Sequence, residues 1–498
     1  MSFPKVQIFL LAALISLPCA LPAATVSFSQ KTVSFPDGDF PFPTATADLN
    51  NDGREDLVST VYPVETGGVG EFNVRLSTGG GTYAAPKLYT LPNGAGLSGM
   101  AAGDFNNDGR ADLAVSGYNL IYVYANDGKG GLTLHGTIQA TGLGGSTFPG
   151  DFNHDRLMDL AYVANGGLHI LFGDGKGGFT PGPITPVNND GEPLLVGDYD
   201  GDGIADIAWG DYVNDTTATV LYGDNTGHFV AKYVTVSERT VFSSGDVNSD
   251  GKTDLIGVPA ADISSVGLTK KYFSIYYGNS ARTFATHVTI PTKYCPIGVT
   301  PAAADIDGNG INDIVLSEAN CDSYVIASYV DVLTRNSNAS YNPEQTIYTA
   351  NTQYGGIVYG PFVLRGDRNS KPDVAVGVCS DSECIGTTFA ILLNTTSGSF
   401  PACAPPNAFE GINVCSPVIG SAAASPVAFH VGAAGQIPMR KVEVWVDGTK
   451  KVEQLDGFSR YSFLDKSISM TPGSHKVTIF AAGWDNWLEQ KTFTLSVK

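Results

Sequence analysis

Histidine is scarce in this 498-residue chain: there are seven, and they are not clustered. That leaves little for imidazole-based acid–base chemistry, and no HExxH stretch or nucleophile elbow occurs. No two cysteines take CxxC spacing, which argues against zinc. Charged side chains make up only 16% of residues, and their balance is acidic, 29 Lys and Arg against 49 Asp and Glu. The net charge of −20 excludes the basic surface that nucleic acid requires. Long apolar runs are missing except for Val6 to Leu17, which is too short to span a bilayer comfortably. With Lys5 before it and small residues up to Ala24, residues 1–24 read as a secretory signal peptide. We therefore expect a secreted or cell-surface protein without a membrane span.

What is present is a repeated acidic loop. Its fullest copy is Asp198-Tyr199-Asp200-Gly201-Asp202-Gly203-Ile204-Ala205-Asp206. Oxygen side chains stand at positions 1, 3, 5 and 9, glycine at position 6 permits a tight turn, and position 7 can offer its backbone carbonyl. Hard oxygens converging in so short a loop suit Ca²⁺, which takes 6–8 oxygen ligands. Position 12 is Trp209, not the glutamate an EF-hand needs, so the loop reads as a link between strands.

Four more full copies keep the same spacing. Their candidate ligands are Asp48, Asn50, Asp52, Arg54 and Asp56; Asp104, Asn106, Asp108, Arg110 and Asp112; Asp246, Asn248, Asp250, Lys252 and Asp254; and Asp305, Asp307, Asn309, Ile311 and Asp313. The copy at Asp198 contributes Asp198, Asp200, Asp202, Ile204 and Asp206. A weaker copy uses Asp151, Asn153, Asp155, Leu157 and Asp159, with Arg156 in place of the glycine. A broken copy runs from Asp367 through Asn369 to Asp373, two residues short, with Lys371 at position 5. Five or six structural Ca²⁺ ions are expected, enough to neutralise roughly half of the excess charge.

Copies at intervals of roughly 47–62 residues are the mark of a repeat architecture. Each repeat places a strand before the loop, a second after it, and a third that enters a Gly-rich hairpin ending on an aromatic or Leu. A fourth, alternating strand completes the unit. Four strands and seven repeats predict an all-β, seven-bladed β-propeller. The segment after Phe400 is no fourth strand, whereas Phe28 to Phe35 matches the strands that succeed the other hairpins. The mature N-terminus is thus expected to supply the last outer strand and remove an open edge.

In these loops and hairpins the chain resembles the FG-GAP/VCBS repeat proteins, whose propellers include the head of integrin α-subunits. The resemblance covers roughly residues 25–400. It implies a propeller whose loops bind Ca²⁺ on one face while partners dock on the other. Residues 401–425, rich in Pro, Ala and Ser, read as a linker. Residues 426–498 carry short strands and an Asp447-Gly448 hairpin turn, which predicts an Ig-like sandwich.

Six cysteines remain in the mature chain: Cys295, Cys321, Cys379, Cys384, Cys403 and Cys415. An even count in an exported protein suggests disulfides. Cys295 and Cys321 fall on the same predicted face, as do Cys379 and Cys384, and a Cys403–Cys415 bridge would loop the linker.

The expected function is a binding or adhesion scaffold for a glycan or an extracellular protein. The alternative is a polysaccharide lyase or hydrolase with its site on the face opposite the calcium loops. The long loops Tyr62 to Glu71, Val258 to Lys271, Asn320 to Tyr324 and Cys379 to Cys384 are the candidate surface, since recognition sits on loops held by rigid scaffolds. Trp484 and Trp487 suit stacking on a sugar or a partner, but such residues are more often partly buried core. Gly173 to Gly178 fits a dinucleotide fingerprint by letter but reads as a hairpin turn. Asn214, Asn338 and Asn394 are glycosylation sequons by letter.

Overall fold

The structure is a computed structural model. It describes residues 25–498 apart from 35–38, 62–69, 93–95, 144, 188–194, 211–216, 236–239, 260–269, 297–300, 321–326, 351–357, 366, 368, 380–386, 456–458 and 485–487. Strands and turns make up the described residues, with no α-helix among them.

Seven antiparallel sheets succeed one another along the chain. In each, an acidic loop joins the first strand to the second, and the last aspartate of the loop opens the second strand. The fourth sheet shows the plan, with strands Leu195–Gly197, Asp206–Gly210, Thr217–Gly223 and Phe229–Thr235 hydrogen-bonded in that order. The second strand is buried along its whole length (Asp206–Gly210), because both of its faces pack on neighbouring sheets. The fourth is largely exposed and reads as an outer strand.

Successive sheets share apolar seams. Tyr222 and Ala208 of the fourth meet Phe242 and Leu255 of the fifth, and Ile256 and Phe273 of the fifth meet Leu316 and Leu333 of the sixth. The last sheet is completed from the other end of the chain. Phe28–Ser34 pairs with Thr387–Asn394 in the register Phe28↔Asn394 to Ser34↔Thr388. The seventh sheet also packs on Asp39–Ala47 of the first. The inferred pairing of the chain's two ends is present from Phe28 to Ser34; Phe35 lies outside the described residues.

The C-terminal region differs from expectation at its start. Gly411–Ser416, read as linker, is a strand that pairs with Val427–Ala434. The Cys403–Cys415 disulfide anchors the approach to it. Ile412 and Val414 turn inward onto the core, an alternation that the surrounding Pro/Ala/Ser composition masks. Ala422–Ala423 adds a short parallel edge to Leu488–Val497. A three-stranded and a five-stranded sheet enclose one core that includes Phe429, Val444, Leu464, Ile479 and Leu495.

Candidate metal centres and the face that covers them

Each acidic loop is wound by its own side chains. In the first copy, Asp48 accepts the amides of Asp52 (3.0 Å) and Gly53 (2.8 Å), and Asp52 accepts that of Arg54 (2.9 Å). The same bonds recur at Asp104, Asp151 and Asp246. Such winding needs left-handed backbone at positions 4 and 6. Position 6 is Gly in five copies; in the weak copy Arg156 accepts φ = 67°.

Position 9 has a further role that the motif does not advertise. Asp56 accepts Leu49 N (2.8 Å) with one oxygen and Ser77 N (2.7 Å) with the other. Asp159, Asp206, Asp254 and Asp313 repeat this bridge from the loop to the hairpin after the third strand. In the broken copy Asp373 accepts Asn394 N at 2.8 Å. There Lys371 Nζ donates to Thr396 O at 2.7 Å and stands over the Phe400 ring. A side-chain ammonium thus supplies the positive charge at the broken loop.

A carboxylate oxygen that accepts one amide keeps a second lone pair, so these bonds and a cation are compatible. Among the described residues, two loops bring three carboxylates within 4.8 Å of one another: Asp198, Asp200 and Asp206, and Asp305, Asp307 and Asp313. These clusters can hold a metal ion, and their all-oxygen donor set fits Ca²⁺. In three other loops the position-7 cation folds back on position 5. Arg54 reaches Asp52 at 2.9 Å, Arg110 reaches Asp108 at 3.0 Å and Lys252 reaches Asp250 at 3.5 Å. Without an ion, burial pushes the carboxyls upward: Asp56 and Asp112 to about 7, Asp159 and Asp313 to about 8. Cation and proton therefore compete for the same oxygens.

The loops also lock each sheet to the next. The position-2 carbonyl accepts from the hairpin of the next sheet: Leu49 O from Gly130 N (2.9 Å), Phe105 O from Gly177 N (2.8 Å) and Phe152 O from Gly227 N (3.0 Å). The position-2 side chain meets the aromatic that ends that hairpin. Phe105 packs on Phe179, Phe152 on Phe229 and Tyr199 on Phe284, with centroids 5.5, 6.0 and 5.8 Å apart. The hairpin aromatic stood out in the sequence but the position-2 residue did not; their shared period was the available signal.

Sequence patterns did not place the C-terminal module, and the structure seats it on this loop face. Asp104 N donates to Gln436 Oε1 at 2.8 Å. Arg440 pairs with the fully buried Asp198 at 2.9 Å, and Arg460 with Glu55 at 3.5 Å. Arg282, from the fifth-sheet hairpin, adds a 2.5 Å contact to Asp200. Ile437 and Trp484, both buried, join the core between the second and third sheets. Trp484 is thus core, as expected; Trp487 lies outside the described residues. A cleft of about 280 Å³ remains where the module meets the loop at Asp305, with Phe400, Gln454 and Lys466 in its lining.

The remaining expectations divide. Cys295 is disulfide-bonded, Cys321 and Cys384 lie outside the described residues, and Cys379 ends a strand. The long candidate loops fall almost wholly outside the described residues. Gly173 to Gly178 lies in a hairpin, with Gly173 paired to Phe179. Asn394, 2% exposed, donates to Ile306 O, so burial closes that sequon. Asn338 is exposed and Asn214 lies outside the described residues.

Comparison with protein families matches an FG-GAP-like repeat at residues 48–115, 104–162, 151–209 and 246–316. Each match starts on the first aspartate of a loop. These segments are FG-GAP-like repeats. They support a repeat β-propeller family. Comparison with curated proteins finds no match. Among solved structures, a fungal alcohol oxidase of the AA5 family in complex with copper aligns with 95% of this chain and 99% of its own, at TM-score 0.50 and 10% identity. At that identity the likeness is one of fold, and it extends over the C-terminal module. An Agrocybe aegerita lectin that recognises non-reducing terminal N-acetylglucosamine aligns over 64% of this chain and 80% of its own, at TM-score 0.42 and 18% identity.

Proposed function

We propose that the protein is a Ca²⁺-clamped, seven-bladed β-propeller spanning about residues 25–400, closed by its N-terminal strand and continued by an Ig-like module. It is exported and serves as a binding scaffold for a glycan or an extracellular protein. The observation that carries this reading is the seating of the module. Gln436, Arg440 and Arg460 tie it to the loop face, so the opposite face is the broad surface left for a partner. That face carries a stacked aromatic pair, Tyr294 and Tyr329, with centroids 4.1 Å apart. Rings of this kind suit both sugar faces and protein contacts.

A glycan array and a panel of extracellular matrix proteins, probed in calcium, test the reading. Binding that is lost in Tyr294→Ala and kept in Lys466→Ala, a residue of the loop-face cleft, supports it. The reverse pattern would move the site to the cleft, and binding to nothing on either panel would remove the scaffold role.

A further inference from the structure

Two acids lie buried at the far end of the sixth sheet, away from the loops. Glu318 sits near the end of Asp313–Ala319, and Asp331 lies in the adjacent strand Ser328–Leu333. The register pairs Glu318 with Tyr329 and Leu316 with Asp331, so all four side chains share one face of the sheet. That face packs on the fifth sheet, since Leu316 and Leu333 share a cluster with Phe273 and Ile275.

Glu318 and Asp331 are both 0% exposed, and their side chains are close enough to interact. No hydrogen bond of ordinary geometry reaches either carboxylate oxygen of Glu318 or Oδ2 of Asp331; their near neighbours are each other and the Thr292 hydroxyl. The other Asp331 oxygen accepts from Thr346 Oγ1 at 2.5 Å. The neighbouring Glu344 is engaged elsewhere, accepting Lys293 N at 2.8 and 2.9 Å. The Lys293 ammonium stands over the Tyr294 ring at 4.6 Å, and among the described residues it makes no ion pair with either buried acid.

Two carboxyls buried side by side in this seam need a positive partner. A proton shared between the two carboxyls would leave one negative charge buried; a divalent ion balances both. Such an ion holds several oxygens at once, each about 2.3–2.6 Å from it. Thr292 Oγ1, which lies beside Glu318 and donates to Tyr294 O at 2.6 Å, keeps a lone pair for the same centre.

We propose that Glu318 and Asp331 form a further Ca²⁺ site, buried between the fifth and sixth sheets, whose all-oxygen donors suit a hard divalent cation. Glu318 binds through both oxygens and Asp331 through Oδ2, so two carboxylates balance one divalent charge. Without the ion, burial and the charges of Glu344 and Asp331 push the Glu318 carboxyl up to about 10. The ion ties two strands to the Thr292–Tyr294 connection, beneath the Tyr294–Tyr329 pair. It clamps the far end of the ring as the acidic loops clamp the near end.

The test is a difference in bound calcium between the native chain and the isosteric double variant Glu318→Gln/Asp331→Asn, by elemental analysis after dialysis. One ion fewer per chain is expected, and because the loops are common to both proteins their occupancy cancels. Equal counts would overturn the proposal and leave the pair as acids that hold a proton. Should the double variant fail to fold, the native chain and Tyr294→Phe/Tyr329→Phe are loaded with Tb³⁺. Tyrosine-sensitised emission is expected to fall in the variant, and unchanged emission would overturn the site.

Discussion

Arg156 is where the loop chemistry is most exposed to test. It holds φ = 67° at a position the other full copies give to glycine. A side chain there costs about 1 kcal/mol, so Arg156→Gly is expected to raise stability by that amount in urea titrations. The position-9 aspartates make a second prediction. Their folded-state values, about 7 to about 8, stand above the ordinary 3.8. The metal-free native state therefore holds protons that the unfolded chain has released. Its stability is full below the ordinary value and is lost as pH rises through the folded values. In chelator, the melting midpoint should fall between about pH 4 and about pH 8, while the stabilisation by added Ca²⁺ grows over the same interval. A midpoint that rises over that interval would contradict the buried-acid account. At this scale the sequence was informative about which residues converge. It was silent on the staple made by position 9, because a ligand and a hydrogen-bond acceptor use the same side chain.

Between elements, the repeat is held by a relation that crosses from one sheet to the next. The Phe152–Phe229 pair stands for it, 3% and 8% exposed and supported by the Gly227 N to Phe152 O bond at 3.0 Å. Each ring truncated to alanine should cost about 3–5 kcal/mol. A double-mutant cycle should return a coupling of about 1 kcal/mol; strict additivity would show that the rings do not act as a pair. Strand order was legible in the sequence because the loop, the second strand and the hairpin recur in phase. The exchange that places Phe28–Ser34 beside Thr387–Asn394 was legible because one strand was missing at one end and surplus at the other. Gly411–Ser416 was misread because prolines, alanines and serines around it outweighed the short Ile412/Val414 alternation.

At the scale of the whole molecule, the C-terminal module and the acidic loops form one face. Nothing in the sequence announces this. Gln436, Arg440 and Arg460 are single polar residues without a period, and each reaches a partner more than two hundred positions away. Arg440 carries the clearest consequence. Asp198 is 0% exposed, burial pushes its carboxyl up to about 6 and Arg440 opposes that shift. Removing the guanidinium with Arg440→Gln leaves a buried charge without its partner, at a cost of about 3 kcal/mol in chelator. The loss should shrink in saturating Ca²⁺, which supplies positive charge to the same loop. A loss of equal size in both conditions would mean that no ion enters the Asp198 loop.

The measurement closest to the central claim is calcium content determined together with the thermal midpoint, with and without excess chelator. Five or six ions at the acidic loops and a large fall of the midpoint on chelation are predicted, since a ligand bound only by the native state stabilises it by mass action. A chain that carries no metal and melts at the same temperature in both conditions would contradict the account, leaving the loops as hydrogen-bonded turns alone.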